Sequence, residues 1–355
     1  MKVLVTGASG MLGAGVARAL LHRGDEVMLL QRRRSEVDTA QVLGDVADPD
    51  VVARAVTGCE VVVHLAAKVD VVGPWAEYAH ANVTGTRTVV RACQAAGVRR
   101  LVNVSSPSVA HAGRALVGVG AGAADPQWAR GHYARSKALA EQAALAADSA
   151  DLAVLSVRPH LVWGPGDTQL VGRIVARAAA GRLPIIATGA ALIDTTYVDN
   201  AVEALIAAVD GVVHGQALVV SNGEPRPVAE ILHQLCTAAG VAPPSRRVPR
   251  GVALAAGAAA EGLWRVLDRR DTPPLTRFLV EQLSTAHWFD QRHTRTVLGW
   301  TPRVSLEQGF AALSAHYSHG WAAAVSWCGA QPAASAHRVP PESCPGPAPT
   351  RAARQ

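Results

Sequence analysis

A strand, a glycine turn and a helix follow one another at the start of the chain, and this order limits the possible folds more than any other stretch. Lys2-Val3-Leu4-Val5-Thr6 is a short apolar run with β-branched side chains. Gly7-Ala8-Ser9-Gly10-Met11-Leu12-Gly13 comes next, before a helical pattern that continues to Leu21. In such a corner Gly7 permits the tight turn, Gly10 lets the backbone approach a pyrophosphate, and Gly13 lets the helix pack closely on the strand. Ser9, Gly10, Met11, Leu12 and Gly13 then lie where the helix N-terminus meets an anion. A glycine-rich turn alone is weak evidence. Its place directly after the first strand favours a dinucleotide site and an α/β fold with a Rossmann-type doubly wound parallel sheet.

The second strand, residues 26–30, runs into Gln31-Arg32-Arg33-Arg34. NAD-specific sites place a carboxylate near this point to accept the ribose 2′-hydroxyl, and that carboxylate repels a 2′-phosphate. An amide and guanidiniums instead predict NADP(H), with Arg32 and Arg33 as phosphate contacts. The bland alternative is that the arginines simply follow the strand into solvent. Residues 42–46 read as a third strand whose Asp45 and Val46 border the adenine, and residues 60–65 as a fourth, buried on both faces. Ala66 and Ala67 after it are small enough for a cofactor to lie against the backbone; Lys68 either meets an anion or points outwards. A helix over 81–96 leads to a fifth strand over 101–104, which ends in Ser105-Ser106-Pro107-Ser108. Ligands sit at the carboxyl ends of such strands, so one of these serines faces the cofactor, and Ser106 is the candidate. The Gly/Ala-rich segment 110–131 is long enough to be a mobile cover.

His132-Tyr133-Ala134-Arg135-Ser136-Lys137 opens the next helix and sets a phenol and an ammonium four residues apart on one face. A neighbouring ammonium favours the phenolate and draws a tyrosine towards proton transfer near neutrality. A core tyrosine beside a solvated lysine is the ordinary alternative. With 4 tyrosines and, by position, only Lys2, Lys68 and Lys137, chance placement gives roughly 0.03 such pairs, which makes the spacing informative. A sixth strand over 153–157 leads to Arg158-Pro159-His160, where Pro159 fixes the chain near a nicotinamide ring and His160 reads as a wall residue. Residues 1–165, with returning segments from 190–225, then form the dinucleotide-binding domain. Residues 166–320 form a smaller C-terminal substrate-binding lobe, and a Pro/Ala-rich tail over 321–355 is too poor in apolar side chains to fold.

A chain of 355 residues, 49% hydrophobic and 17% charged, can bury a large core. The net charge of +6 comes from scattered arginines without a long basic block, which favours anionic small molecules over nucleic acid. Five cysteines without metal-ligand spacing imply a reduced, cytoplasmic protein with no zinc site or disulfide frame. No apolar run reaches membrane-spanning length. Residues 252–267 read as an amphipathic helix, lining a greasy cleft or lying against a partner.

The glycine turn, Ser106, Tyr133-x-x-x-Lys137 and Arg158-Pro159 together resemble the extended short-chain dehydrogenase/reductases, in their 3β-hydroxysteroid dehydrogenase-like branch. Residues 105–109, 158–167, 194–200, 221–225 and 273–283 carry a further resemblance to the bacterial 2-alkyl-3-oxoalkanoate reductases of long-chain olefin biosynthesis. The resemblance implies NADPH-dependent reduction of a long-chain 2-alkyl-3-oxo acid to the 3-hydroxy acid. In it Tyr133 is the acid, Lys137 lowers its pKa and holds the nicotinamide ribose, and Ser106 steadies the carbonyl oxygen. It also implies a homodimer, and association with a β-lactone synthetase and a β-lactone decarboxylase. Steroid or sterol dehydrogenases and NAD-dependent nucleotide-sugar epimerases or dehydratases remain rivals on the same fold. A dinucleotide-sensing regulator without activity is a third, which has no need of Tyr133 and Lys137 in register.

Overall fold

The computed structural model describes residues 1–324 except 71, 72, 112, 268–272 and 274. Within it, Met1–His319 form one compact unit. The chain runs through β1 (Lys2–Thr6), α1 (Met11–His22), β2 (Glu26–Gln31), β3 (Ala40–Leu43), α2 (Pro49–Val56), β4 (Val61–His64) and α3 (Trp75–Tyr78). A π-helical turn over Ala79–Thr84 leads into α4 (Gly85–Ala96) and β5 (Arg100–Val104). Then come β6 (Leu116–Val119), α5 (Gly131–Leu145), β7 (Ala153–Pro159), β8 (Val162–Trp163), α6 (Val171–Ala179), β9 (Ile185–Ile186), β10 (Leu192–Ile193) and β11 (Thr196–Tyr197). After these come α7 (Val198–Asp210), β12 (Gln216–Val220), β13 (Arg226–Pro227), α8 (Val228–Ala238) and β14 (Arg247–Val248). The last elements are α9 (Arg250–Val266), α10 (Arg277–Ser284), β15 (His287–Phe289), α11 (Arg292–Leu298) and α12 (Leu306–Ala324).

Seven strands pair in the order β12-β7-β5-β4-β1-β2-β3, and every pairing is parallel. All residues of β4 and β5 are buried, as helices on both faces of a parallel sheet require. The strand order reverses between β1 and β4, so a crevice opens at their carboxyl ends, where such sheets take their ligands. A second, four-stranded sheet in the order β13-β10-β15-β6 gathers short segments far apart in the chain.

Three expectations change. The third strand is Ala40–Leu43 and stops before Gly44, because the Asp45 carboxylate accepts the Ala47 N–H at 2.9 Å and turns the chain towards α2. The helix expected over 81–96 begins with a π-helical turn and becomes α-helical only at Gly85. The segment 110–131 is pinned rather than loose: β6 pairs with β15, Leu116 N–H bonds Ala286 O at 2.9 Å, and the Ala121 and Gly122 carbonyls accept from Arg158. Its Gly/Ala composition conceals a strand of only four residues. The tail expected from 321 lies, beyond Ala324, outside the described residues.

Candidate active site

The crevice is built from two turns in contact. Gly7 has φ +77°, and a Cβ there would stand 2.8 Å from Ala66 N. A Cβ on Gly13 would stand 2.5 Å from Gly7 O, so the start of α1 reaches the strand only because both positions lack side chains. Thr6 Oγ1 accepts the Leu65 and Ala66 N–H groups at 3.1 and 3.0 Å and locks the two turns together. No side chain caps α1, and its first turn carries no acidic residue. Its N-terminus therefore suits a pyrophosphate, with Ser9, Gly10, Met11 and Leu12 around it. The turn residues fit a dinucleotide on these grounds.

At the end of β2, Gln31 is buried, donates to Gln41 Oε1 at 2.6 Å, and leaves its own Oε1 without a partner among the described residues. Ser35 Oγ donates to Ala8 O at 2.8 Å, closing the loop that carries Arg32 and Arg33 over the glycine turn. Both guanidiniums are exposed. The Lys68 ammonium meets Asp70 at 2.8 Å and Glu77 at 3.0 Å. Val46 is buried against Gly85, while the Asp45 carboxylate caps Ala47 and lies 3.3 Å from His80. Pro159 ends β7 at the ligand side of the sheet, level with Val220 of β12.

The fold brings Ser106, Tyr133 and Lys137 to the carboxyl end of β5. Ser106 caps the short 3-10 turn Pro107–Ala110, lies 2.9 Å from the Ser108 hydroxyl, and acts from its side chain on the Tyr133 phenol. Ser105 is buried beside it, away from that pairing. Burial raises the Tyr133 phenol above its usual pKa, opposed by the Ser106 hydrogen bond. Burial outweighs the Ser106 contribution, so the net direction for the phenol is upward. Lys137 is buried at 3% exposure and donates to Val104 O at 2.5 Å. Burial brings its pKa down to about 8, with Glu141 acting in the opposite direction.

Two clusters escape sequence reading. Asn82, in the π-helical turn, accepts from Lys68 N–H at 2.7 Å and donates to Lys68 O and Ser136 Oγ, tying the turn after β4 to α5. An asparagine inside a helical pattern gives no signal of this. His160, expected to be a wall residue, is 2.5 Å from Asp194 by Nδ1 and 3.2 Å from His287 Nδ1 by Nε2. Asp194 also accepts from Ser221 Oγ and Phe289 N–H, so one buried carboxylate joins β7, β12 and β15. Among the described residues no group of three His, Cys, Asp or Glu side chains is placed to hold a metal, and no helix is long and apolar enough to cross a membrane.

Residues 4–250 match the 3-beta hydroxysteroid dehydrogenase/isomerase family. The chain belongs to this family. It is thus an oxidoreductase, and the relatives narrow the chemistry to ketone reduction. It is 42% identical over 328 residues to a 2-alkyl-3-oxoalkanoate reductase of Stenotrophomonas maltophilia, covering 89% of this chain and 99% of the relative. A reductase of the same name from Shewanella oneidensis is 35% identical, covering 88% and 85%. Among solved structures, MoeE5 in complex with UDP-glucuronic acid and NAD superposes with a TM-score of 0.69 at 26% identity, covering 90% of this chain and 99% of that one. The family match thus runs from β1 to the start of α9.

Proposed function

We propose that this member of the family uses NADPH to reduce the 3-keto group of a long-chain 2-alkyl-3-oxoalkanoic acid, giving the 2-alkyl-3-hydroxy acid in olefin biosynthesis. The observation that carries the reading is the buried Lys137 ammonium on Val104 O at the end of β5, two residues before Ser106 and on the helix that carries Tyr133. When bound, the dinucleotide supplies the hydride. Negative charge then grows on the substrate carbonyl oxygen, and the Ser106 and Tyr133 hydroxyls donate to it. Tyr133 delivers the proton, and the Lys137 ammonium stabilises the phenolate left behind. The names of the relatives support the substrate class.

NADPH rather than NADH is supported by the end of β2, where Gln31 stands in place of a carboxylate and Arg32 and Arg33 are exposed towards solvent. Ser9, Ala66, Ala67, Pro159 and the glycine turn complete the proposed cofactor contacts; the lobe of residues 166–320 grips the acyl chains. The test is oxidation of NADPH and of NADH by purified protein supplied with a synthetic 2-alkyl-3-oxo acid, a 3β-hydroxysteroid with the oxidised cofactor, or a UDP-sugar. Turnover of the oxo acid with preference for NADPH is expected. Turnover of the steroid or the sugar without the oxo acid would overturn the assignment.

A further inference from the structure

Tyr133, Lys137 and Glu141 follow one another at four-residue steps along α5 and so form one stripe on the helix. Glu141 is 1% exposed, and its two oxygens take a bidentate pair of bonds from Arg158 of β7, Nη2 to Oε1 at 2.5 Å and Nε to Oε2 at 2.8 Å. The remaining Arg158 donors reach Ala121 O and, at 3.2 Å, Gly122 O, which fixes the guanidinium on both sides.

The surroundings of Lys137 leave Glu141 a specific task. From β5, Lys137 meets only a carbonyl, Val104 O. From β4 comes His64, kept neutral by burial and held between Thr6 and Thr86. From its own helix come Tyr133 and Glu141; from β7, Arg158 acts on it through Glu141. Among these groups Glu141 is the carboxylate whose field favours the ammonium. An unbraced carboxylate so deeply buried would take up a proton or draw the ammonium onto itself. Both Glu141 oxygens are instead taken by Arg158, and a lysine four residues before a glutamate is in any case the poorer order for direct pairing on a helix.

We propose that Glu141, braced by Arg158, is a positioning residue for the reduction: it keeps Lys137 charged while leaving its Nζ at Val104, beside Ser106. This rests on the reading of Tyr133 and Lys137 given above. It explains why a family oxidoreductase buries an ion pair two turns beyond its proton donor.

The experiment uses the full chain labelled with [13Cε]lysine. The sequence has three lysines, Lys2, Lys68 and Lys137, so the Lys137 resonance is assigned by its loss in Lys137→Met. In Glu141→Gln the Lys137 titration midpoint is expected to fall by about one pH unit, and Glu141→Asp to restore most of it. The alkaline limb of kcat for ketone reduction follows the same displacement. Should Glu141→Gln fail to fold, the double variant Glu141→Met/Arg158→Met replaces the pair with apolar side chains, and a smaller fall in the same direction is expected, because the Arg158 cation leaves with the carboxylate. A purely structural role would lower stability and leave the midpoint in place; a midpoint within about 0.2 unit of the wild type overturns the proposal. Failure of the ketoreductase reading has a different mark: the midpoint moves as stated, yet the wild type does not reduce the oxo acid.

Discussion

Replacing Lys137 by Met separates what its ammonium does for chemistry from what it costs the fold. Lys137 is 3% exposed, and burial moves its pKa from 10.5 to about 8. At about 1.4 kcal/mol per unit, the folded state holds the charged form at a disadvantage of about 3 kcal/mol. Met fills a similar space without charge but leaves Val104 O without its donor, a loss of about 1 kcal/mol. The variant is therefore expected to be more stable than the wild type by about 2 kcal/mol at pH 7. The folded pKa lies below the unfolded one, so the disadvantage is complete below the folded value near 8 and vanishes as pH rises past 10.5. The stability gap should accordingly shrink to near zero by pH 10. Urea unfolding of both proteins at the two pH values measures it, with ketone reduction followed in parallel and expected to collapse. A variant less stable than the wild type at pH 7, or a gap that ignores pH, refutes the reasoning.

Gly13→Ala places a methyl 2.5 Å from Gly7 O and should cost about 2 kcal/mol in urea unfolding while weakening dinucleotide binding measured by fluorescence. The double change Arg32→Ala/Arg33→Ala should reduce the preference for NADPH over NADH, read as the ratio of kcat/KM values, by about tenfold or more, with little change in melting temperature. Asp194→Asn leaves donors facing Ser221 and Phe289 and removes the carboxylate from His160; a loss of about 3 kcal/mol is expected in chemical denaturation.

The parts of this fold that were legible in the sequence are those whose cause is local. The β1 turn shows itself because strand, glycines and helix are contiguous, and each glycine answers a contact within the same corner or its neighbour, Ala66. Tyr133 and Lys137 are legible for the same reason, since helical periodicity alone puts them on one face. Which of Ser105, Ser106 and Ser108 is buried depends on the path of the backbone after β5, which the sequence does not show: Ser105 is buried and the Ser106 and Ser108 hydroxyls pair with each other. The second sheet was hidden because its strands are two to four residues long and their partners lie far away in the chain. His160, Asp194 and His287 were hidden more deeply: the two histidines are 127 residues apart, and only the pairing of β15 with β10 brings them together. Lys68 was open to either reading until Asp70 and Glu77 folded over it.

The assignment turns on one hydroxyl. Turnover of a 2-alkyl-3-oxo acid should be compared in wild type and Tyr133→Phe, with NADPH affinity measured alongside. The expected result is loss of roughly a thousandfold in kcat with NADPH affinity kept within a few fold. A Tyr133→Phe protein that reduces the substrate at the wild-type rate would contradict a ketoreductase centred on Tyr133.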